Sequence, residues 1–308
     1  MSFSGEVKEE LTQHIDPPRH CQIAELAAIF CYSGRIRRGS AKNTVLLIQT
    51  ENGQLIRKCF TLLKKSFNIC TEITGKGSYS LQIEDEEQVR RILQTLKLID
   101  ASGRAKQRMD LVSPLLIKNA CCRRAFLKGA YLAIGSMSDP EKSYHLEFVC
   151  STDSQAQQLQ EIIGEFGIEA RIIGRKNHFV VYMKEGAAIV DLLNVIGAHK
   201  SLMNLENLRI VKEMRNSINR RVNCEAANIT KTVNASAKQI EDITLIQSIR
   251  GLGALPENLR EMAEIRLEYP DAPLKELGQY LNPPVGKSGV NHRLRKISEI
   301  ADHLRGCR

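Results

Sequence analysis

The sequence predicts an α+β fold: a duplicated unit of alternating helices and strands, followed by an all-α module. Three observations carry this expectation. Residues 55–75 resemble residues 154–174 at a constant offset of 99, the mark of an internal repeat. Both copies show the same succession of helical and alternating apolar patterns. Past Gly197 the strand pattern disappears and helical spacing alone remains.

Composition bounds the rest. The chain has 308 residues, too many for one ordinary core and enough for two modules. Lys plus Arg number 44 against 35 Asp plus Glu, a net charge of +9. Hydrophobic residues make up 43%, which excludes a wholly disordered chain. Aromatics are only 5% and Trp is absent, which argues against broad stacking platforms for single-stranded nucleic acid. No apolar run approaches the ~18 residues that span a bilayer. Residues Met1 to Glu6 show no basic region followed by an apolar stretch, so no signal peptide is expected. Nine cysteines occur without a C-x-x-C pair, and the seven histidines look scattered. They read as reduced thiols serving as small core residues, with no metal site and no cofactor. A cytoplasmic chain with no membrane insertion follows.

Residues 1–198 form the predicted first domain, with repeats at about 20–100 and 120–198. In the repeat, Leu63 matches Ile162, Phe67 matches Phe166, and Gly75 matches Gly174. Each copy opens with a helix, Cys21 to Ser33 and Ala120 to Ile134. In the first copy Asn43 to Thr50 reads as a strand and Glu51 to Ser66 as a helix. Ile69 to Thr74 and Ser80 to Ile83 read as a hairpin about Gly75-Lys76-Gly77, before a helix at Glu86 to Leu98. The second copy repeats the order with a strand at Tyr144 to Cys150 and a helix at Ser154 to Phe166. Strands at Glu169 to Ile173 and Phe179 to Met183 flank Gly174-Arg175-Lys176-Asn177, and Gly186 to Ile196 is a helix. Two α-β-β-α-β-β-α units can pack about a pseudo-twofold axis and share one saddle-shaped sheet.

The opening helices end in Leu26-Ala27-Ala28-Ile29-Phe30-Cys31-Tyr32-Ser33-Gly34 and Leu127-Lys128-Gly129-Ala130-Tyr131-Leu132-Ala133-Ile134-Gly135. Both nonapeptides resemble the LAGLIDADG motif of homing endonucleases. The resemblance implies that the two helices pack side by side at the axis. Ala27, Ala28, Gly129, Ala130 and Ala133 suit such a close approach. Gly34 and Gly135 fit a left-handed helix C-terminus. The nucleases of that family place an acidic residue just before each terminal Gly, where it holds a catalytic divalent metal. Here those positions are Ser33 and Ile134, and no acidic residue occurs from Leu26 to Thr50. Asp139 follows the second motif inside a turn, Ser138-Asp139-Pro140. The expectation is therefore no catalytic residue and no cleavage. Arg35, Arg37, Arg38 and Lys42 follow the first motif and fit either a solvated strand or contacts to a DNA backbone.

Residues 199–218 read as a helical linker and 219–308 as a DNA-binding module. Residues 199–308 carry a net charge of +5. Leu255-Pro256-Glu257 starts a helix that stops before Pro270. Pro273 opens another, ended by Pro283-Pro284, and a last helix starts near Ser288, a candidate N-cap. Val290, Leu294, Ile297, Ala301 and Leu304 share its apolar face. Lys287, Ser288, Asn291, His292, Arg293, Arg295 and Lys296 surround its opposite face near the start. From about Pro273 to Leu304 this reads as a helix-turn-helix. In a helix from Arg215 to Asn234, Asn216, Asn219, Arg220, Asn223, Lys231 and Asn234 fall on one side. That stripe fits a contact surface, to nucleic acid or to the first domain, as well as a solvated face.

The whole chain resembles the WhiA family of bacterial proteins, most tellingly in SFSGEVKEEL, SMSDPEKSYHLEF, RNSINRRVNCEAANITKT and PPVGKSGVNHRLRKI. The resemblance implies a degenerate homing-endonuclease-like saddle joined to a helix-turn-helix. It further implies transcriptional control of sporulation in actinomycetes, and cell division and chromosome segregation in other Gram-positive bacteria. The leading expectation is a non-catalytic regulator bound to double-stranded DNA. The alternatives are a metal-dependent endonuclease of the LAGLIDADG type and a scaffold whose saddle binds another transcription or division protein. The sequence leaves the oligomeric state open.

Overall fold

The computed structural model describes residues 2–38, 44–99 and 111–306. It divides into two compact units, Met1–Lys212 and Glu213–Arg308. In the first unit, α1 (Phe3–Gln13) precedes two copies of one arrangement. The first copy is α2 (Arg19–Ser33), β1 (Gly34–Arg38), β2 (Thr44–Thr50), α3 (Gly53–Phe67), β3 (Ile73–Thr74), β4 (Tyr79–Ile83) and α4 (Glu86–Thr95). The second is α5 (Ala120–Ile134), β5 (Gly135–Met137), β6 (Leu146–Cys150), α6 (Asp153–Gly164), β7 (Arg171–Arg175), β8 (His178–Met183) and α7 (Gly186–Ile196). The α-β-β-α-β-β-α order read from the sequence is the observed one.

The expected single sheet is two. Among the described residues the strands form one antiparallel sheet in the order β1-β2-β4-β3 and another in the order β5-β6-β8-β7. The repeats meet through α2 and α5, whose backbones touch where a Cβ on Gly129 would stand 2.6 Å from the Glu25 carbonyl oxygen. Ala28 and Ala130 are fully buried in that unit's core. Small side chains thus let the helices take over the seam that a strand ladder would otherwise fill.

Local signals fix the element ends. Asn52, Asp85 and Thr152 cap α3, α4 and α6 by accepting backbone N–H groups of the first turn. The α3 helix ends in left-handed Asn68, and α7 in left-handed Gly197. Gly34 and Gly135 behave otherwise. Their φ values are −84° and −79°, so each helix runs straight into a strand. Glycine is needed there for space, because a Cβ would lie 2.5 Å from the Phe30 carbonyl oxygen or from the Tyr131 ring. The β3 strand is shorter than expected, although Ile69 before it is buried. The second hairpin is tighter than expected. Its strands include Arg175 and His178, leaving a two-residue turn with Lys176 at φ 56°.

The N-terminal helix is tied into this unit. Val7 and Leu11 are buried. The ammonium of buried Lys58 donates to the carbonyls of Leu11 and His14 (2.5 and 2.9 Å) and pairs with buried Glu25 at 2.6 Å. Burial raises the Glu25 pKa and lowers that of Lys58, while their mutual attraction opposes both shifts. Glu10 accepts the backbone N–H groups of Lys200 and Ser201 (2.7 and 2.9 Å), capping the next helix from outside.

That helix, α8 (His199–Ile249), is followed by α9 (Glu257–Glu268), α10 (Leu274–Tyr280) and α11 (Lys287–Gly306). The second unit has a core of its own. Ile243 and Ile246 of α8 pack with Leu259 and Met262 of α9, Leu277 of α10, and Val290, Leu294, Ile297, Ala301 and Leu304 of α11.

Candidate nucleic-acid interface

The apolar face expected for α11 is the buried one. Three polar ties hold it in place. Arg293 reaches the Asn258 carbonyl at 3.4 Å and lies 3.7 Å from Glu261 of α9. Arg305 pairs with fully buried Asp242 of α8 at 2.6 Å. The Asn282 N–H, in the turn before α11, donates to Glu261 at 2.8 Å. The turn itself depends on Gly278: the Val285 N–H donates to the Gly278 carbonyl at 2.8 Å, and a Cβ on Gly278 would collide with the Val285 carbonyl. Ser288 is not the N-cap. The Gly289 and Val290 N–H groups bond back to the Gly286 carbonyl, so the helix starts a residue earlier and Ser288 sits inside its first turn.

Lys287, Ser288, Asn291, His292, Arg295 and Lys296 are exposed, and all but Lys287 share the face opposite the core at helical spacing. Arg293 stands apart from them, half-buried and engaged with α9. The group therefore offers two lysine ammoniums, a guanidinium and the hydrogen-bonding side chains of Ser288, Asn291 and His292 along two turns of an ordered helix. Side chains of these types match base edges and phosphates.

On α8, Asn216, Asn219, Arg220, Asn223, Lys231 and Asn234 are all exposed. The same helix also exposes Met214, Ile218, Val222, Ile229 and Val233 at 55–65%. Exposure alone thus does not distinguish the asparagine side. The sequence reading overlooked the apolar stripe because it followed only the polar residues.

In the first sheet Arg35 and Arg37, both exposed, pair in the ladder with buried Leu47 and Val45. Lys42 and the side chain of Arg38 lie outside the described residues. The second sheet differs. Ser136, Glu147, Tyr182 and Arg171 lie opposite one another across its four strands. Glu147 accepts from Ser136 at 3.5 Å and lies 3.1 Å from His145 Nε2. Val149 and Ile173 are exposed on the adjoining row, at 38% and 53%. Positive charge is thus uneven between the repeats.

Ser33 and Ile134 are half-buried at the C-terminal ends of α2 and α5. Ile134 packs against the core. Asp139 sits in the expected turn, accepting the Glu141 N–H at 2.9 Å. At the opposite ends of the same helices, His20, Cys21, Cys121 and Cys122 come together. The expectation that the chain holds no clustered ligand set fails here. These donors are adjacent pairs contributed by different repeats, a grouping that no C-x-x-C spacing within one segment marks. Burial and the neighbouring Cys121, Cys122 and Asp16 push the Cys21 thiol up to about 12.

Comparison with known proteins accounts for nearly all of this architecture. The family model described as the WhiA N-terminal LAGLIDADG-like domain matches residues 19–99. The WhiA LAGLIDADG-like domain matches 123–215, and the WhiA C-terminal HTH domain matches 218–301. The chain belongs to the WhiA family. A "Probable cell division protein WhiA" of Lachnoclostridium phytofermentans is 52% identical, over 99% of this chain and 100% of that protein. The protein of the same name in Clostridium acetobutylicum is 49% identical over 99% of both. The crystal structure of full-length DUF199/WhiA from Thermatoga maritima covers 98% of this chain and 99% of its own, with a TM-score of 0.59 at 26% identity. The WhiA HTH match spans α9 to α11 up to residue 301, which includes every exposed α11 residue named above. No described helix is long and apolar enough to cross a membrane.

Proposed function

We propose that this WhiA family member is a non-catalytic DNA-binding protein that regulates transcription and acts in cell division and chromosome segregation. It works in the cytoplasm, associated with the nucleoid. The observation that carries the reading is the exposed Ser288, Asn291, His292, Arg295 and Lys296 face of α11, opposite a fully buried apolar face. Those side chains supply base readout, while Lys287, Arg35 and Arg37 supply backbone neutralisation. The asparagine side of α8 adds further polar contacts. The names of the relatives matched along their whole length support the division role. The hydroxyl of Ser33 and the aliphatic chain of Ile134 support the absence of cleavage, since neither replaces a metal-binding carboxylate.

Mapping the DNA bound in cells, then measuring affinity for an enriched site and a scrambled duplex, tests the reading. A preference of at least ~10³-fold is expected. Equal affinity for both duplexes would sink sequence readout. Supercoiled plasmid incubated with the protein and magnesium should stay intact. Nicking that a chelator abolishes would instead identify an endonuclease. A second role rests on exposed Val149 and Ile173 beside Tyr182, a face better suited to a protein than to phosphates. A division or transcription partner bound there should be retained by a chain truncated at about residue 215.

A further inference from the structure

His20 and Cys21 occupy the first turn of α2, and Cys121 and Cys122 the first turn of α5. Their four donor atoms all lie within 4.8 Å of one another. His20 Nδ1 is 3.2 Å from Cys122 Sγ, 3.4 Å from Cys21 Sγ and 4.0 Å from Cys121 Sγ. Thiolates at about 2.3 Å and an imidazole at about 2.0–2.1 Å from a tetrahedral zinc ion have donor–donor edges of roughly 3.5–3.8 Å. The observed separations straddle that range, so small side-chain rotations complete the set. We propose that His20, Cys21, Cys121 and Cys122 form a Cys3His site for zinc that staples the two repeats together.

Three independent features support the site. The spacing that relates Gly34 to Gly135 also relates His20 to Cys121 and Cys21 to Cys122. Equivalent pairs on equivalent helices therefore meet beside the pseudo-twofold axis. One turn further along, Ala24 and Ala125 are 0% and 1% exposed and pack with Cys21 and Cys122. These methyl groups leave the sulfurs free to converge. Both helices direct their N-terminal ends at the cluster, where the helix dipole favours the negative charge of metal-bound sulfur.

The chemistry selects the ligand class. Three sulfurs and an imidazole suit zinc and disfavour magnesium or calcium. Four protein donors leave no open position, so the site is structural and not hydrolytic. It is also remote from the nuclease metal positions. Ser33 and Ile134 lie about 12 residues along the same helices, roughly 18 Å away. On binding, the coordinating thiols release their protons to solvent and the metal keeps its oxidation state.

The full-length chain, purified under reducing conditions and stripped with a chelator, is titrated with cobalt(II) and then zinc(II). Tetrahedral ligand-field absorption with thiolate charge-transfer bands should saturate at about one metal per chain and disappear when zinc displaces cobalt. The double variant Cys21→Ser, Cys122→Ser should lose the bands. Exposed His20→Ala should keep the fold, as judged by circular dichroism, and bind cobalt at least about tenfold more weakly. His20→Cys should keep tetrahedral binding with stronger charge transfer, and this holds even if the double serine variant fails to fold. A spectroscopically silent wild-type chain overturns the proposal. So do bands that survive in the folded double variant, or an affinity unchanged by His20→Ala.

Discussion

At Gly129 two helix backbones come so close that a single methyl group decides the packing. A Cβ there would lie 2.6 Å from the Glu25 carbonyl oxygen and 3.0 Å from the Ala28 methyl. Gly129→Ala should therefore cost about 1–3 kcal/mol in urea unfolding. Gly164→Ala is the control: nothing lies within 4 Å of its Cβ, and the change should be neutral or stabilise by up to about 1 kcal/mol. The cationic residues of α11 separate in the same way. Arg295→Ala should lose about 1–3 kcal/mol of affinity for the specific duplex and little for a scrambled one, read by fluorescence anisotropy. Lys287→Ala should weaken both duplexes alike and reduce the salt slope by about 1. Helical spacing made the exposed α11 face legible in the sequence. It did not reveal the diversion of Arg293, because the partners Asn258 and Glu261 lie on another helix. It also did not reveal why Gly34 and Gly135 are glycines, since crowding by Phe30 and Tyr131 is a property of the fold.

Elements act through what they hold. Lys58 of α3 joins the end of α1 to Glu25 of α2, with both charged side chains fully buried. Lys58→Met should cost about 3–5 kcal/mol, because it leaves a buried carboxylate without its cation, and urea unfolding measures it. The α8 helix poses a binding question. If its asparagine side touches DNA, Asn219→Ala with Asn223→Ala should raise the dissociation constant without changing the unfolding midpoint. An unchanged dissociation constant removes the stripe from the interface. Element order was legible because apolar spacing switches between helical and strand periods within each repeat. Strand lengths were less so: β3 has two residues because only Ile73 and Thr74 find ladder partners on β4. Sheet division was hidden as well. Sequence spacing carries no information on whether repeats join through strands or through helices.

Among the described residues each unit has a main hydrophobic core of its own. A chain ended after Lys212 should therefore unfold cooperatively in a thermal melt, yet lose specific DNA binding. Loss of cooperative unfolding would mean that the first core depends on the second unit. The duplication was visible from a single aligned stretch, since matching apolar positions survive in both copies. The gathered histidine and cysteines were not, because donors far apart along the chain become neighbours only after the repeats dock. Long-range closure also governs how the protein is born. The N-terminal helix is sealed by Lys58, by the Met137 N–H that donates to Ser4 at 3.2 Å, and by Lys200 and Ser201 on Glu10. A ribosome releases those partners late, so α1 must wait for most of the first unit to be synthesised before it can settle, and a chaperone that shields it during that interval would raise the yield of native protein.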